Sequence, residues 1–139
     1  MAIQFWKDGK KPQINPDLFS SIAEKLALDV ASEKGGNRNK PTQIRKFYDE
    51  VIRFDSIVKA SPKEFDNVLP YLKMLNAKAA YAMGRDLISG KFKDFIADSL
   101  HQVNDKQDFA AFTGLFEAFI GYYKFHYEKT GLPQRGGAR

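Results

Sequence analysis

Apolar side chains recur every three or four residues along most of this chain, which is the spacing that places them on one face of an α-helix. The pattern is clearest at Leu18, Ile22, Leu26 and Val30, where each residue follows the previous one by four positions. No segment shows the regular alternation of apolar and polar residues that is typical of a half-buried β-strand. The sequence therefore predicts an all-α protein.

Residues that begin or break helices divide this pattern into separate elements. Asn15 and Pro16 are of the types preferred at a helix cap and in a first helical turn, and the helix that they begin is predicted to reach about Glu33. Residues 34–40 are rich in glycine and asparagine and predict a loop. A proline and a threonine open the next apolar series, so a second helix is expected over residues 41–60.

The third helical segment has a proline in its middle. Ser61 and Glu64 match a capping box, in which the serine and the glutamate three positions later each bond the other's backbone N–H. Pro70 lacks a backbone N–H, and its ring clashes with the preceding helical turn. We therefore expect a short helix, then a break or kink, then a longer helix that starts at Pro70 and ends at Gly84 or Gly90.

The two remaining helices differ in character. The series from Phe92 to Val103 is amphipathic, whereas the last series covers more than one face of its helix. The apolar residues of that last helix are Phe109, Phe112, Leu115, Phe116, Phe119, Ile120, Tyr123 and Tyr127. Such a helix lies either at the centre of a bundle or in an interface between subunits, and the sequence leaves both options open.

Length and composition fit one globular domain. The chain has 139 residues, of which 43% are hydrophobic, and this is enough to bury a core without disulfides. The predicted architecture is a compact bundle of five to six helices in a single domain over residues 15–129. Residues 1–14 are expected to form an extended N-terminal arm, and residues 130–139 a flexible tail.

The sequence lacks features that several classes of protein require, among them cysteine and long apolar segments. There is no cysteine, which excludes disulfides and thiolate metal sites and fits a reducing compartment. The first residues lack the apolar core of a signal peptide, and no apolar run approaches the roughly 20 residues that span a bilayer. We therefore expect a cytoplasmic protein with no membrane partner.

The sequence shows no arrangement typical of an enzyme. Asp98 and His101 share a helix face, but one such pair lacks the further ligands that a transition metal needs. Neither Gly35-Gly36 nor the segment around Gly84 fits a phosphate-binding loop, and no serine has a neighbouring base. We therefore predict no catalytic residues, no metal and no cofactor.

Positive charge is more informative, although the net charge of +5 is mild. One basic set surrounds the start of the second helix, and no acidic residue lies between positions 34 and 48. This set comprises Lys34, Arg38, Lys40, Arg45 and Lys46, with Arg53 on the same helix further on. A second set comprises Lys73, Lys78 and Arg85.

Helix N-termini attract anions, so cations placed there are rationalised by an anionic partner. Phe47 and Tyr48 accompany the first basic set, and Tyr81 accompanies the second. Basic residues interleaved with aromatic residues are typical of surfaces that bind a nucleic-acid backbone. The alternative is an ordinary solvated helix face whose aromatic residues point to the core.

Three segments of the chain resemble, in the same order, the Csm small-subunit family of type III-A CRISPR effector complexes. They are residues 40–51 (KPTQIRKFYDEV), 69–82 (LPYLKMLNAKAAYA) and 109–124 (FAAFTGLFEAFIGYYK). The first segment, with its TQIRKFY motif, is the most specific. The resemblance extends over about residues 15–133, which is nearly the whole chain.

This resemblance implies a helical, non-catalytic subunit of an antiviral ribonucleoprotein. Its partners would be the guide RNA, the target RNA, other Csm subunits and copies of itself, as a homodimer or a stacked array. Arg45, Lys46 and Lys78 lie in the matching motifs and would face RNA, and the charge pattern adds Arg53 and Arg85. Contacts should go mainly to phosphate and sugar, because the guide varies in sequence.

Two other functions remain as alternatives. One is a self-associating helical adaptor that uses its apolar last helix as the interface and makes no direct contact with RNA. The other is a stand-alone enzyme such as a ribonuclease, which the absence of a catalytic arrangement disfavours.

Overall fold

The computed structural model describes residues 3–129, and within them six α-helices form one compact bundle. The helices are α1 (Ala23–Ala31), α2 (Pro41–Ala60), α3 (Phe65–Lys73), α4 (Leu75–Gly84), α5 (Gly90–His101) and α6 (Lys106–Lys129). A π-helical turn (Leu18–Ile22) leads into α1, and a 3-10 turn (Pro62–Glu64) leads into α3. No strand occurs in the described residues, and the predicted all-α bundle of five to six helices is confirmed.

Helix α6 is the centre of the bundle and packs against α1 and α2. Phe109, Phe112, Phe116 and Phe119 of α6 are all buried. The ring of Phe119 stacks on that of Phe95 from α5, with 4.7 Å between centroids and 10° between planes. The apolar circumference of α6 is therefore explained by packing within this chain, which decides between the two options that the sequence left open.

Helix α2 begins and ends at the predicted residues. The break that we predicted in the next helical segment, at Pro70, lies at a different residue. Pro70 lies inside α3, and the helix is interrupted only at Met74, whose N–H donates to the Pro70 carbonyl oxygen at 3.0 Å. The new helix begins at Leu75, so our prediction that it starts at Pro70 is wrong by five positions. Pro70 is exposed, as is Asp66 one turn before it, so the missing hydrogen bond is on the solvent side of the helix.

The predicted capping box does not form. Ser61 does precede the helical segment, but its side chain makes no capping hydrogen bond. The N–H of Glu64 instead donates to the Ser61 carbonyl oxygen at 2.9 Å, which closes the 3-10 turn. The glutamate side chain accepts from Asn67 at 3.3 Å, so neither half of the reciprocal pair is available.

Residues 3–14, the described part of the predicted arm, lie against the bundle. Ile3 and Phe5 are buried in the same core as the helices. The indole N–H of Trp6 donates to the buried carboxylate of Asp108 at 3.0 Å. Lys11 forms ion pairs with Asp105 and, at 3.0 Å, with Asp108. The predicted tail, residues 130–139, lies outside the described residues.

The pair formed by Lys11 and Asp105 makes stability depend on pH. Burial opposes the charge of Asp105, but hydrogen bonds from Lys11 and from the Asp108 backbone outweigh it and hold the pKa of Asp105 below its ordinary value of 3.8. Because the folded state favours the charged carboxylate, this stabilisation is complete above pH 3.8 and disappears as the pH falls through the lower folded-state pKa.

We expect Asp105→Asn to unfold at a lower urea concentration than the wild type at pH 6, and the difference to be smaller at pH 2. Asparagine can keep the oxygen that accepts from the Asp108 N–H at 2.8 Å, so the variant removes the charge and the acceptor for Lys11 while it leaves that backbone contact in place. The measurement is urea denaturation followed by circular dichroism at both pH values. In a Lys11→Ala background the substitution should have a smaller effect at pH 6, and an undiminished effect there would contradict the pairing.

Candidate nucleic-acid interface

Residues of α2 and α4 line a groove of about 530 Å³ on the surface of the bundle. Helix α2 contributes Gln43, Lys46, Phe47, Asp49 and Glu50, and the other side is formed by Leu75, Lys78, Tyr81, Ala82, Arg85 and Leu87. We call this the α2–α4 groove. Its two sides are more than 20 residues apart in the sequence, so only the folded bundle brings them together.

The two predicted basic sets meet in the α2–α4 groove. Lys46 comes from the first set, and Lys78 and Arg85 come from the second. Lys78 and Arg85 share a side because they are seven positions, or roughly two helical turns, apart. Within residues 3–129, neither Lys46 nor Arg85 lies within ion-pair distance of a carboxylate, so both charges are available to an anionic ligand.

The groove also contains acidic side chains, and their neighbours offset most of that charge. Glu50 lies 3.1 Å from a guanidinium nitrogen of Arg53 and 3.7 Å from the ammonium of Lys78. The hydrogen bond from Arg53, together with the charge of Lys78, holds the pKa of Glu50 below its usual value. Asp49 is exposed and lies 3.9 Å from Arg45, which is one turn before it on α2. The groove and its rim therefore carry a moderate excess of positive charge.

The floor of the groove is apolar and one aromatic ring stands at its edge. Phe47, Leu75 and Ala82 are buried beneath it. Tyr81 is 67% exposed, which is the largest value among the exposed large hydrophobic residues of the described chain. Arg85 donates a hydrogen bond to the Tyr81 hydroxyl at 3.2 Å. Tyr81 lies between Lys78 and Arg85 in the sequence, but no sequence pattern predicts that its ring is exposed.

Three of the predicted basic residues are used to hold the fold together. Lys34 donates to the backbone oxygen of Tyr127, with its ammonium 4.3 Å from that ring's centroid. Arg38 lies 3.3 Å from Asp86. Lys73 donates to the Leu100 carbonyl oxygen at 2.7 Å, near the end of α5. None of the three lines the α2–α4 groove.

The remaining predicted residues surround the groove or lie apart from it. Arg53 touches the groove through Glu50. Lys40 is exposed immediately before α2. Arg45 is also exposed but faces a smaller cavity of about 180 Å³ that it shares with Tyr123 and Lys124. The structure thus brings Lys46, Lys78 and Arg85 together and leaves the other predicted contacts dispersed.

Another cavity, of about 150 Å³, has mainly acidic groups among its charged side chains, where the α2–α4 groove has mainly basic ones. Its lining includes Asp29, Asp94 and Asp98, with Lys91 as the one cation. A polyanion is repelled by such a surface. The contrast supports the α2–α4 groove as the candidate interface for nucleic acid.

The histidines and carboxylates are not gathered into a metal site. Over residues 3–129, no three histidine or acidic side chains are placed to share an ion. The His126 ring nitrogen lies 3.0 Å from a carboxylate oxygen of Glu24, while His101 is exposed at the end of α5.

Among the described helices, none combines the length and the apolar character needed to cross a bilayer.

Comparison with known proteins identifies one family. The family model described as Csm2 Type III-A matches residues 15–129. That range contains all six helices and every residue of the α2–α4 groove. No curated protein and no solved structure matches the chain significantly.

Proposed function

The chain belongs to the Csm2 type III-A family, and from this premise we propose that it binds RNA in a type III-A CRISPR-Cas effector complex through the α2–α4 groove. Members of this family are small subunits of such effectors and are generally non-catalytic. It would hold the backbone of the guide–target duplex or of the adjacent strand and carry out no chemistry itself. Several copies would stack along the ribonucleoprotein in contact with the other Csm subunits.

The observation that carries this proposal is the meeting of two distant basic segments in one groove. Lys46 and Arg85 are 39 positions apart in the sequence, yet they line the same surface, and each lacks an ion-pair partner among the described residues. Unpaired cations along a groove attract phosphate without regard to base sequence, because their ligand is the backbone. A subunit that must accept any guide requires this kind of contact.

The adaptor alternative loses its main support. It requires the apolar face of α6 to be an interface, but Phe112, Phe116 and Phe119 are fully buried within the chain. Stacked copies would instead meet through surfaces that remain exposed, such as those around Leu28 or Phe125. Self-association and RNA binding are then properties of different surfaces.

The test is to remove the groove's cations in the assembled complex. We expect Lys46→Ala, Lys78→Ala and Arg85→Ala together to weaken binding of target RNA and to reduce the slope of log K against log salt by about 2 to 3. All three side chains are exposed, so the fold should be retained. The measurement is a titration of labelled target RNA at several salt concentrations, with RNAs of unrelated sequence and matching guides.

A matched control removes the same charge elsewhere. Lys63, Lys91 and Lys106 are exposed and lie outside the α2–α4 groove. Their triple alanine variant should bind RNA with nearly the wild-type salt slope. If both triple variants assemble and bind target RNA as the wild type does, the groove is not the RNA contact.

A further inference from the structure

Most of the Tyr81 side chain lies outside the packing of the bundle. It is 67% exposed, whereas Phe47 and Leu75 beneath the same groove are buried. Its hydroxyl is nevertheless held by Arg85 at 3.2 Å, and the guanidinium carbon lies 5.8 Å from the ring centroid. The ring is therefore oriented while most of its surface remains open to a ligand.

The surroundings of this ring combine two features that unpaired nucleotides require. Lys46, Lys78 and Arg85 supply positive charge around the groove. The buried floor supplies apolar surface beside the ring. An aromatic face flanked by cations binds a base by stacking and its phosphates by charge, and it tolerates every base because each has a π-face.

We propose that Tyr81 stacks on an unpaired nucleobase, so that the α2–α4 groove binds single-stranded RNA in preference to a regular duplex. The proposal rests on the proposed function and deepens it. In a duplex, both faces of every internal base are already covered by neighbouring bases, so an exposed tyrosine gains little from a paired strand. The groove's cations act on either form, because both carry phosphates.

Tyr71 offers an internal comparison. It is 58% exposed on α3 but does not line the α2–α4 groove. Tyr71→Ala therefore tests the loss of an exposed tyrosine ring that is not part of the groove. Tyr81→Phe, in turn, keeps the π-face and removes only the hydroxyl.

The experiment measures binding of the full chain to a short RNA at low salt, with a fluorescent label at one end. The same strand is used alone and annealed to its complement. We expect Tyr81→Ala to weaken binding of the single strand by roughly 5- to 150-fold, as alanine substitution of stacking residues does, and to leave duplex binding within about twofold. Tyr71→Ala should bind both forms as the wild type does, and Tyr81→Phe, which keeps the π-face but loses the hydroxyl held by Arg85, should weaken single-strand binding less than Tyr81→Ala does.

A second measurement detects stacking directly. With 2-aminopurine placed in the single strand, saturating wild-type or Tyr81→Phe protein should quench its fluorescence, and saturating Tyr81→Ala protein should quench it less. Equal quenching by Tyr81→Ala, or equal weakening of single-strand and duplex binding by that variant, overturns the stacking role.

The two proposals fail in distinguishable ways. If the cation triple variant weakens RNA binding while Tyr81→Ala binds both RNA forms normally, base stacking is wrong and the phosphate contact stands. If the wild-type chain and the assembled complex bind RNA independently of Lys46, Lys78 and Arg85, the proposed function itself is wrong and the role of Tyr81 falls with it.

Discussion

Phe119→Ala is expected to destabilise the protein by about 3 to 5 kcal/mol, the range observed when a large buried aromatic side chain is removed from a core. Phe119 has no exposed surface. Its ring stacks on Phe95 at 4.7 Å and on Tyr123 at 5.5 Å, and it also meets Phe92 at 6.0 Å. The cavity left by the substitution would lie between α5 and α6, next to the rings of Phe92 and Phe95.

The measurement is urea denaturation followed by circular dichroism at several protein concentrations. Phe125→Ala is the matched control, because this residue lies on the same helix and is 54% exposed; its effect should be within about 0.5 kcal/mol. If Phe119→Ala instead left the stability of the monomer intact and shifted the oligomeric state, α6 would be an interface after all.

The second large effect concerns a buried polar contact between the loop before α2 and the rest of the bundle. Asn39 is fully buried. Its amide nitrogen donates to the Val30 carbonyl oxygen at 3.0 Å and to the Ser89 hydroxyl at 2.8 Å, and its amide oxygen accepts from the Ser89 N–H at 2.9 Å. Burial raises the pKa of Tyr123, whose hydroxyl stays protonated and donates to the Asn39 carbonyl oxygen.

We expect Asn39→Ala to destabilise the protein by about 2 to 4 kcal/mol, for two reasons. The Ser89 N–H loses its acceptor in a buried site. In addition, Asn39 has a φ of 63°, a conformation that asparagine tolerates better than alanine. Asn39→Gly separates the two causes, since glycine adopts positive φ without strain. The free energy of unfolding should rank wild type above glycine above alanine. An alanine variant within 1 kcal/mol of the wild type would contradict this account.

The helices could be predicted from the sequence where the signals are local. Proline at the first helical position and an apolar period of three to four residues fixed both ends of α2 at Pro41 and Ala60. The interruption at Met74 could not be predicted in the same way, because proline removes a local hydrogen bond but packing decides where the chain bends. The capping box at Ser61 is missing because the Glu64 N–H donates to the Ser61 carbonyl oxygen in a 3-10 turn instead.

The candidate site was only partly predictable for a related reason. Charge along the sequence identified Lys46, Lys78 and Arg85, but it could not separate them from Lys73, which satisfies a carbonyl of α5. Lys73 and Lys78 differ by five positions, which places them on different faces of a regular helix, and the face that meets another helix depends on the tertiary arrangement. The solvent exposure of Tyr81 depends on the same tertiary arrangement.

The contact between Trp6 and Asp108 makes the fluorescence of Trp6 a probe of the N-terminal segment. Trp6 is the only tryptophan in the sequence, and its indole N–H is bonded to a buried carboxylate at the start of α6. Indole emission responds to the polarity and hydrogen bonding around the ring, so its wavelength reports whether the N-terminal segment is seated on the bundle. Since Trp6 does not line the α2–α4 groove, a change in its emission when RNA binds would reveal communication between the two sites without any label.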